Sequence, residues 1–371
     1  MSAGTAMRLL LTADSVGGVW QYALDLAQAL GAHGVATTLA HMGPAPSAHQ
    51  RSDAGAAGVT LVETGLPLDW LVDTPGPVLA AGTTIAALAA ESGADLLQVN
   101  MPSLAAAAGA DVPVIAAAHG CVTSWWAAAY PGEQLPASFD WHRRLTGEGL
   151  RAADLVVAPT AAYARIVARH YGLPRVPAVV HNGRRALVAS PAARTSDRAF
   201  TAGRLWDRVK RTDLLDAVAA LLPVPFLAAG PVSGPHGETV APAHLQLLGV
   251  IDEANLAAEL AARPIFVSAA VFEPFGLAVL EAAAAGCPLV LADQPGFREL
   301  WEGAAVFVGA DDANGYARAV TMLLDDAGLR DRLGDAARAH ARRYTAAAMA
   351  EGMMALYRRA LTERQPAGRA A

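Results

Sequence analysis

Short apolar runs separated by helix-length amphipathic stretches recur along most of the chain, and this alternation restricts the fold more than any single residue does. In the first half the runs are 8–13, 35–42, 59–63, 95–100, 113–119, 154–159 and 177–183. Between several of them lie segments such as VWQYALDLAQALGAHG, with apolar residues three and four apart and Gly at the end. Strand–helix–strand alternation implies parallel strands with helices on both faces of the sheet. Residues 184–197, RRALVASPAARTSD, break the pattern; they are polar, Pro-containing and aperiodic, which suits a hinge. The alternation resumes at 199–205, 224–230, 244–250, 264–270, 288–293 and 304–309, and a helical tail follows from 311 to 361.

A chain of 371 residues exceeds the size at which one core keeps growing, so two domains of ~150–200 residues are expected. The reading is an α/β chain of two doubly wound parallel-sheet domains, 1–183 and 184–345, followed by a helical segment, 346–371. Ligands of such sheets bind beyond the carboxyl ends of the strands. Two facing domains would enclose a ligand in the cleft between them.

The hydrophobic fraction of 54% against 17% charged residues excludes disorder, and a net charge of −6 removes any general case for nucleic-acid binding. Cys121 and Cys287 lie far apart without metal-ligand spacing, which fits a reducing compartment. The opening MSAGTAMRLLLTADSVGG carries a short apolar run that reads as a first strand rather than a signal peptide. No run of ~20 apolar residues is present, so the expectation is a cytoplasmic protein that spans no membrane. Up to Asn182, eight Arg and Lys stand against thirteen Asp and Glu, so no basic face is available for anionic lipid.

Three loops at strand ends carry polar chemistry. In ADSVGGVW, Gly17 and Gly18 open the first helix, which suits either a tight turn or the approach of backbone amides to an anion. In AGRLWDRVKR, Arg204 follows a strand through Gly203 and Lys210 comes six residues later. With no acidic cluster close by, and with Arg208 and Arg211 adding charge, the pair suits a diphosphate, or simply a solvated basic loop. In VFEPFGLAVLEAAAAGCP, Pro274 is placed for a first helical turn, aiming the amides of Phe275, Gly276 and Leu277 at a ligand. Glu273 and Glu281, eight residues apart, would then lie about 12 Å from each other along the axis. Such spacing suits a long ligand with hydroxyls at both ends and phosphates between; alternatively Glu281 pairs with an Arg and Glu273 caps a helix.

These residues carry a family resemblance. Glu273 and Glu281 in FEPFGLAVLE form an E-x7-E that resembles the signature of the retaining GT-B glycosyltransferases, family 4. SVGGV, AAAHG, VHNGR, GRLWDRVK, AAGP, LLGVIDE and QPGFREL resemble the other motifs of that family in the same order, over about residues 8–320. The resemblance implies two Rossmann-like domains facing across a cleft, an acceptor-binding one first and a nucleotide-sugar-binding one second, with the last helix crossing back. It implies that Arg204 and Lys210 neutralise a diphosphate leaving group, Glu273 and His119 contact the donor sugar, and Glu281 holds the ribose. Gly17, Gly18, Gly203 and the amides of Phe275, Gly276 and Leu277 would bind phosphate and sugar, Glu299 would join the site floor, and base contacts would fall around Ile251.

The implied activity is metal-independent hexosyl transfer, with no cofactor, from a UDP-glucose or GDP-mannose type donor to a glycan, lipid-linked or small hydroxyl acceptor. No D-x-D occurs in the chain, and a departing diphosphate can be stabilised by fixed cations and helix-start amides. At most peripheral membrane contact is expected. An epimerase of the same architecture or a nucleotide-sugar binder without turnover are the alternatives. The insert at 121–144 concentrates Trp125, Trp126 and Trp141, suited to an acceptor platform or to local packing. Arg211 stands where the family often has Gly, and Asp14 has no evident role.

Overall fold

The computed structural model describes residues 6–185 and 195–364, so most of the expected hinge at 184–197 and the end of the tail lie outside the described residues. The chain forms two compact units. The first takes the described residues up to Ala127, then Gly132–Gly183 and the residues from Ala346 on; the second takes Ala128–Pro131 and the described part of Arg184–Thr345.

Seven parallel strands build the first unit: β1 (Met7–Asp14), β2 (Val35–Met42), β3 (Thr60–Glu63), β4 (Leu96–Val99), β5 (Val114–Ala117), β6 (Leu155–Ala158) and β7 (Ala178–Val179). Their order is β3-β2-β1-β4-β5-β6-β7. The second unit has six parallel strands: β8 (Ala199–Ala202), β9 (Phe226–Ala229), β10 (Gln246–Gly249), β11 (Ile265–Ser268), β12 (Leu289–Ala292) and β13 (Ala305–Val308), in the order β10-β9-β8-β11-β12-β13. Every strand lies within one of the apolar runs except β1, which extends its run by one residue at each end. The run at 177–183 yields only two strand residues, at a sheet edge and just after Pro177, which has no N–H to donate.

The runs read as continuously apolar because both faces of each sheet are covered. On β12, Leu289 and Leu291 join the cluster of Phe266, Phe297 and Trp301, whereas Val290 between them joins Ile265, Tyr316 and Val320 on the other face. In the first unit Leu9, Leu11, Leu39 and Ile115 share a core with Met349, Met353 and Tyr357 of the last helix, Ala346–Arg364. That helix therefore returns to the first unit. Arg364 at its end reaches the Ala110 carbonyl at 2.6 Å and the Asp154 carboxylate at 3.1 Å.

Each sheet reverses its direction of growth once, between β1 and β4 and between β8 and β11. A crevice opens at the carboxyl ends of the strands at such a point. Among the described residues, no helix is long and apolar enough to cross a membrane.

The docking of the last helix is testable. Met353 is fully buried, so Met353→Ala should cost about 2–5 kcal/mol of first-unit stability in urea unfolding. A loss below about 1 kcal/mol would show that the helix contributes little to that core.

Candidate active site

The loop after β8 is built by close backbone approach. Gly203 N donates to Ala229 O at 3.0 Å, and a Cβ on Gly230, which has φ +135°, would lie 1.8 Å from the Gly203 carbonyl oxygen. Only glycine permits that contact. Asp207 then organises the turn: its Oδ1 accepts from Val209 N at 3.3 Å and its carbonyl from Lys210 N at 2.8 Å. The turn ends at Arg211 with φ +57°, a left-handed conformation that costs a side-chain-bearing residue roughly 1 kcal/mol. Such a backbone favours Gly, the residue that the family resemblance leads one to expect here. Arg211 is held by Asp311 at 2.5 Å and Asp213 at 3.3 Å.

The loop after β11 lies beside it. Val271 N donates to Val209 O at 2.9 Å, joining the two strand-end loops, and Gln294 Nε2 reaches Glu273 O at 3.4 Å. Between these ties Lys210 Nζ donates to Glu273 Oε2. A small cavity at the same place is lined by Thr201, Gly203, Lys210, Ser268, Glu273 and Val279. Arg204 donates from Nη2 to Asp207 Oδ2 at 2.9 Å, with its guanidinium 5.7 Å from the Trp206 ring. Its side chain is 43% exposed.

The expected uncompensated basic field is corrected by these pairings. Asp207, buried between the cations, partners Arg204, and Arg211 is paired as described. Arg208 donates to the Ala129 carbonyl at 2.9 Å and lies over the Tyr130 ring.

A second correction concerns the helix start. The helix runs Leu277–Ala285 with Gly276 as N-cap at φ +91°, so Pro274 lies two residues before the cap and not in the first turn. The first-turn amides belong to Leu277, Ala278 and Val279. Phe275 is buried instead, edge-on to Tyr344 at 5.7 Å. A Cβ on Gly276 would come within 3.1 Å of Glu273 Cγ and 3.3 Å of the Phe297 ring, so glycine is needed for the turn itself. Glu273 precedes the helix, and the 12 Å axial separation from Glu281 does not apply.

Glu281 follows the alternative reading: it pairs with an arginine. Its Oε1 accepts from Arg184 Nε at 2.7 Å, with the side chains 9% and 6% exposed. Arg184 also lies 3.6 Å from Glu253, which Arg185 holds at 2.8 Å. Ile251 packs half-buried against the second-unit core, and Glu299 is half-buried on the helix Pro295–Trp301.

In the first unit, Asp14 has a clear role. Its Oδ1 accepts from Val16 N at 2.9 Å and Gly17 N at 3.2 Å, so those amides are already engaged. Gly17 is extended at φ −143°, and the helix begins at Gly18. At the end of β5, His119 Nε2 lies 3.1 Å from Asn100 Oδ1, with the ring edge-on to Tyr22 at 4.3 Å. Burial pushes its pKa down to about 4, so the imidazole is neutral at pH 7.

Asn100 belongs to a buried polar network with Thr12, Gln98, Tyr22 and Tyr357. Sequence reasoning missed it, since none of these residues lies in a motif. Trp125, Trp126 and Trp141 are half-buried and packed on neighbours, Trp126 on Phe139 at 5.9 Å and Trp141 on His142 at 5.2 Å.

The structure thus gathers Gly203, Arg204, Lys210, Glu273, Gly276 and Leu277 at the carboxyl ends of β8 and β11. It places Gly17, Gly18 and His119 at the carboxyl ends of β1 and β5. Among the described residues, no group of three or more His, Cys, Asp or Glu side chains is placed to hold a metal ion.

Residues 16–185 match the model of Glycosyltransferase Family 4, and residues 196–326 match that of Glycosyl transferases group 1. The chain belongs to glycosyltransferase family 4. This family 4 chain is 34% identical over 248 residues to a D-inositol 3-phosphate glycosyltransferase of Streptomyces scabiei, covering 56% of each chain. It is 32% identical over 117 residues to a phosphatidyl-myo-inositol mannosyltransferase of Mycobacterium leprae, covering 31% of each. The matches thus span about a third to a little over half the length of these curated relatives. Its fold is that of the GT-B glycosyltransferases. A sucrose-phosphate synthase from Thermosynechococcus elongatus superposes with TM-score 0.77 at 18% identity, over 96% of this chain and 100% of that one. Anabaena HepE in complex with UDP and glucose superposes with TM-score 0.73 at 16% identity, over 95% and 100%.

The Arg184–Glu281 pair gives a stability test. Arg184→Met should cost about 3–5 kcal/mol, because it strips a buried carboxylate of its partner. Adding Glu281→Leu should recover most of that loss in chemical denaturation. A double variant no more stable than the single one would show that the pair does not set the cost.

Proposed function

We propose that this chain is a retaining, metal-independent hexosyltransferase that moves a sugar from a nucleoside-diphosphate hexose to a hydroxyl acceptor. One observation carries the reading: Lys210, Glu273 and the start of the helix Leu277–Ala285 meet where the second sheet reverses direction, with Arg204 on the same loop as Lys210. Breaking a sugar–phosphate bond builds negative charge on the departing diphosphate. Lys210 as a point charge, Arg204 as a planar fork and three first-turn amides offer fixed positive charge there without reorganisation.

In this reading Glu273 holds Lys210 in place before the donor arrives and then accepts from sugar hydroxyls. His119, neutral, meets a further hydroxyl, and Arg184 orients Glu281 toward the ribose. The amides around Ile251 receive the base. The transition state is oxocarbenium-like, and with no protein nucleophile assigned, attack on the donor's front face accounts for retention. The leaving phosphate then takes the acceptor proton. The donor in this reading is a UDP- or GDP-hexose, and similarity to a D-inositol 3-phosphate glycosyltransferase and a phosphatidyl-myo-inositol mannosyltransferase favours a polyol, glycan or lipid-linked acceptor. In this reading the enzyme is cytoplasmic, which its two free thiols fit, and makes at most peripheral membrane contact.

Release of free nucleotide from a panel of nucleotide sugars tests this. Lys210→Ala and Arg204→Ala should each lower kcat by about 100-fold or more, with a much smaller change in nucleotide Kd, and EDTA should leave wild-type turnover unchanged. Unchanged kcat in Lys210→Ala would remove the leaving-group role. Tight binding without release in any acceptor mixture would favour a binding protein.

A further inference from the structure

The buried network at the ends of β1, β4 and β5 admits one hydrogen-bond direction at nearly every step. Asn100 Nδ2 lies 2.7 Å from the Thr12 carbonyl, which can only accept, so the amide nitrogen points there and Asn100 Oδ1 points the other way. That oxygen, 3.1 Å from His119 Nε2, can only accept, so Nε2 must carry a proton. Gln98 agrees with this direction. Its Oε1 accepts from Tyr357 Oη at 2.6 Å, leaving Nε2 to donate to Tyr22 Oη at 3.1 Å and Asn100 Oδ1 at 3.0 Å.

We infer that Asn100, oriented by Thr12 and Gln98 and through Gln98 by Tyr357 of the last helix, is a positioning residue that fixes His119 as the Nε2–H tautomer. Nδ1 is thereby left as a lone-pair acceptor. A neutral ring with a bare Nδ1 takes a hydroxyl donor and disfavours an anionic oxygen. Resting on the function proposed above, this selects a neutral hexose over a uronate at His119. The other titratable groups of the network, Tyr22 and Tyr357, are phenols held neutral by burial, so no charge in the network competes with this arrangement.

Two-bond 1H–15N correlation on the full-length protein with 15N-labelled histidine reads the tautomer without any substrate. Wild type should show His119 protonated at Nε2 and bare at Nδ1 at pH 7, titrating far below an ordinary histidine. Asn100→Asp, which sets a carboxylate against Nε2, should raise the His119 midpoint by at least one pH unit. Tyr357→Phe removes only a hydroxyl on Gln98 and leaves the Thr12 carbonyl to orient Asn100, so the Nε2–H tautomer should persist in it, and a mixed or switched tautomer there would overturn the inference. A wild-type Nδ1–H tautomer, or an imidazolium at pH 7, overturns the inference; because that spectrum needs no variant, a misfolded Asn100→Asp does not rescue it.

Assayed between the wild-type and the raised midpoint, where only the variant carries an imidazolium, Asn100→Asp should lower kcat/KM for a glucose or mannose donor at least tenfold relative to wild type at the same pH, while leaving nucleotide Kd within twofold. Its preference for that donor over UDP-glucuronate should narrow there. An unchanged preference, together with the shifted midpoint, would overturn the selectivity. The expected tautomer with no donor turnover would count against the proposed function and leave the tautomer assignment standing.

Discussion

The ion pair between Lys210 and Glu273 is the contact around which the second unit's chemistry is arranged. Lys210 is the chain's only lysine, and both side chains are about one-fifth exposed. A cation so far withdrawn from water needs an anion beside it. The sheet supplies one by geometry, because β8 and β11 are neighbours at the reversal of strand order and their loops are joined from Val271 N to Val209 O. Glu273 then occupies the electrostatic role that a diphosphate takes in the proposed reaction. The ammonium is already partly withdrawn from water and held in place before any ligand binds, which is the preorganisation that makes fixed charges effective in catalysis.

The same rule governs the remaining interior charge. Arg184 meets Glu281, Arg204 meets Asp207, and the nearly buried Arg330 meets Asp197 at 2.7 Å. Unpaired, the buried members Arg184, Glu281, Asp207 and Arg330 would each cost several kcal/mol. In the proposed reaction the diphosphate is therefore not drawn by an unbalanced basic patch. It competes with internal carboxylates and gains from the amides at Leu277, Ala278 and Val279. In the first unit the ends of β1, β4 and β5 carry a neutral relay of amides and phenols that ends on His119.

The sheets were legible in the sequence because parallel strands covered on both faces are written as unbroken apolar runs, as Leu289–Val290–Leu291 shows. The order of motifs pointed to the family for the same reason: each sits at a strand end. What the sequence hid was pairing at a distance. Arg184 and Glu281 are 97 residues apart, and Gln98 and Tyr357 are 259 apart. Local composition carries no trace of either contact. The helix start was misplaced because Pro274 favours a first turn, whereas Gly276 in a left-handed conformation sets the actual cap two residues later. Asp207 was visible between Arg204 and Lys210, yet only its burial shows that it neutralises one of them.

A crystal structure of the protein grown with UDP tests the central claim most directly. The account predicts β-phosphate oxygens within hydrogen-bonding distance of Lys210 Nζ and the Arg204 guanidinium, beside the first-turn amides of the helix Leu277–Ala285. UDP bound elsewhere, with Lys210 still closed on Glu273 and the ends of β8 and β11 unoccupied, would contradict it.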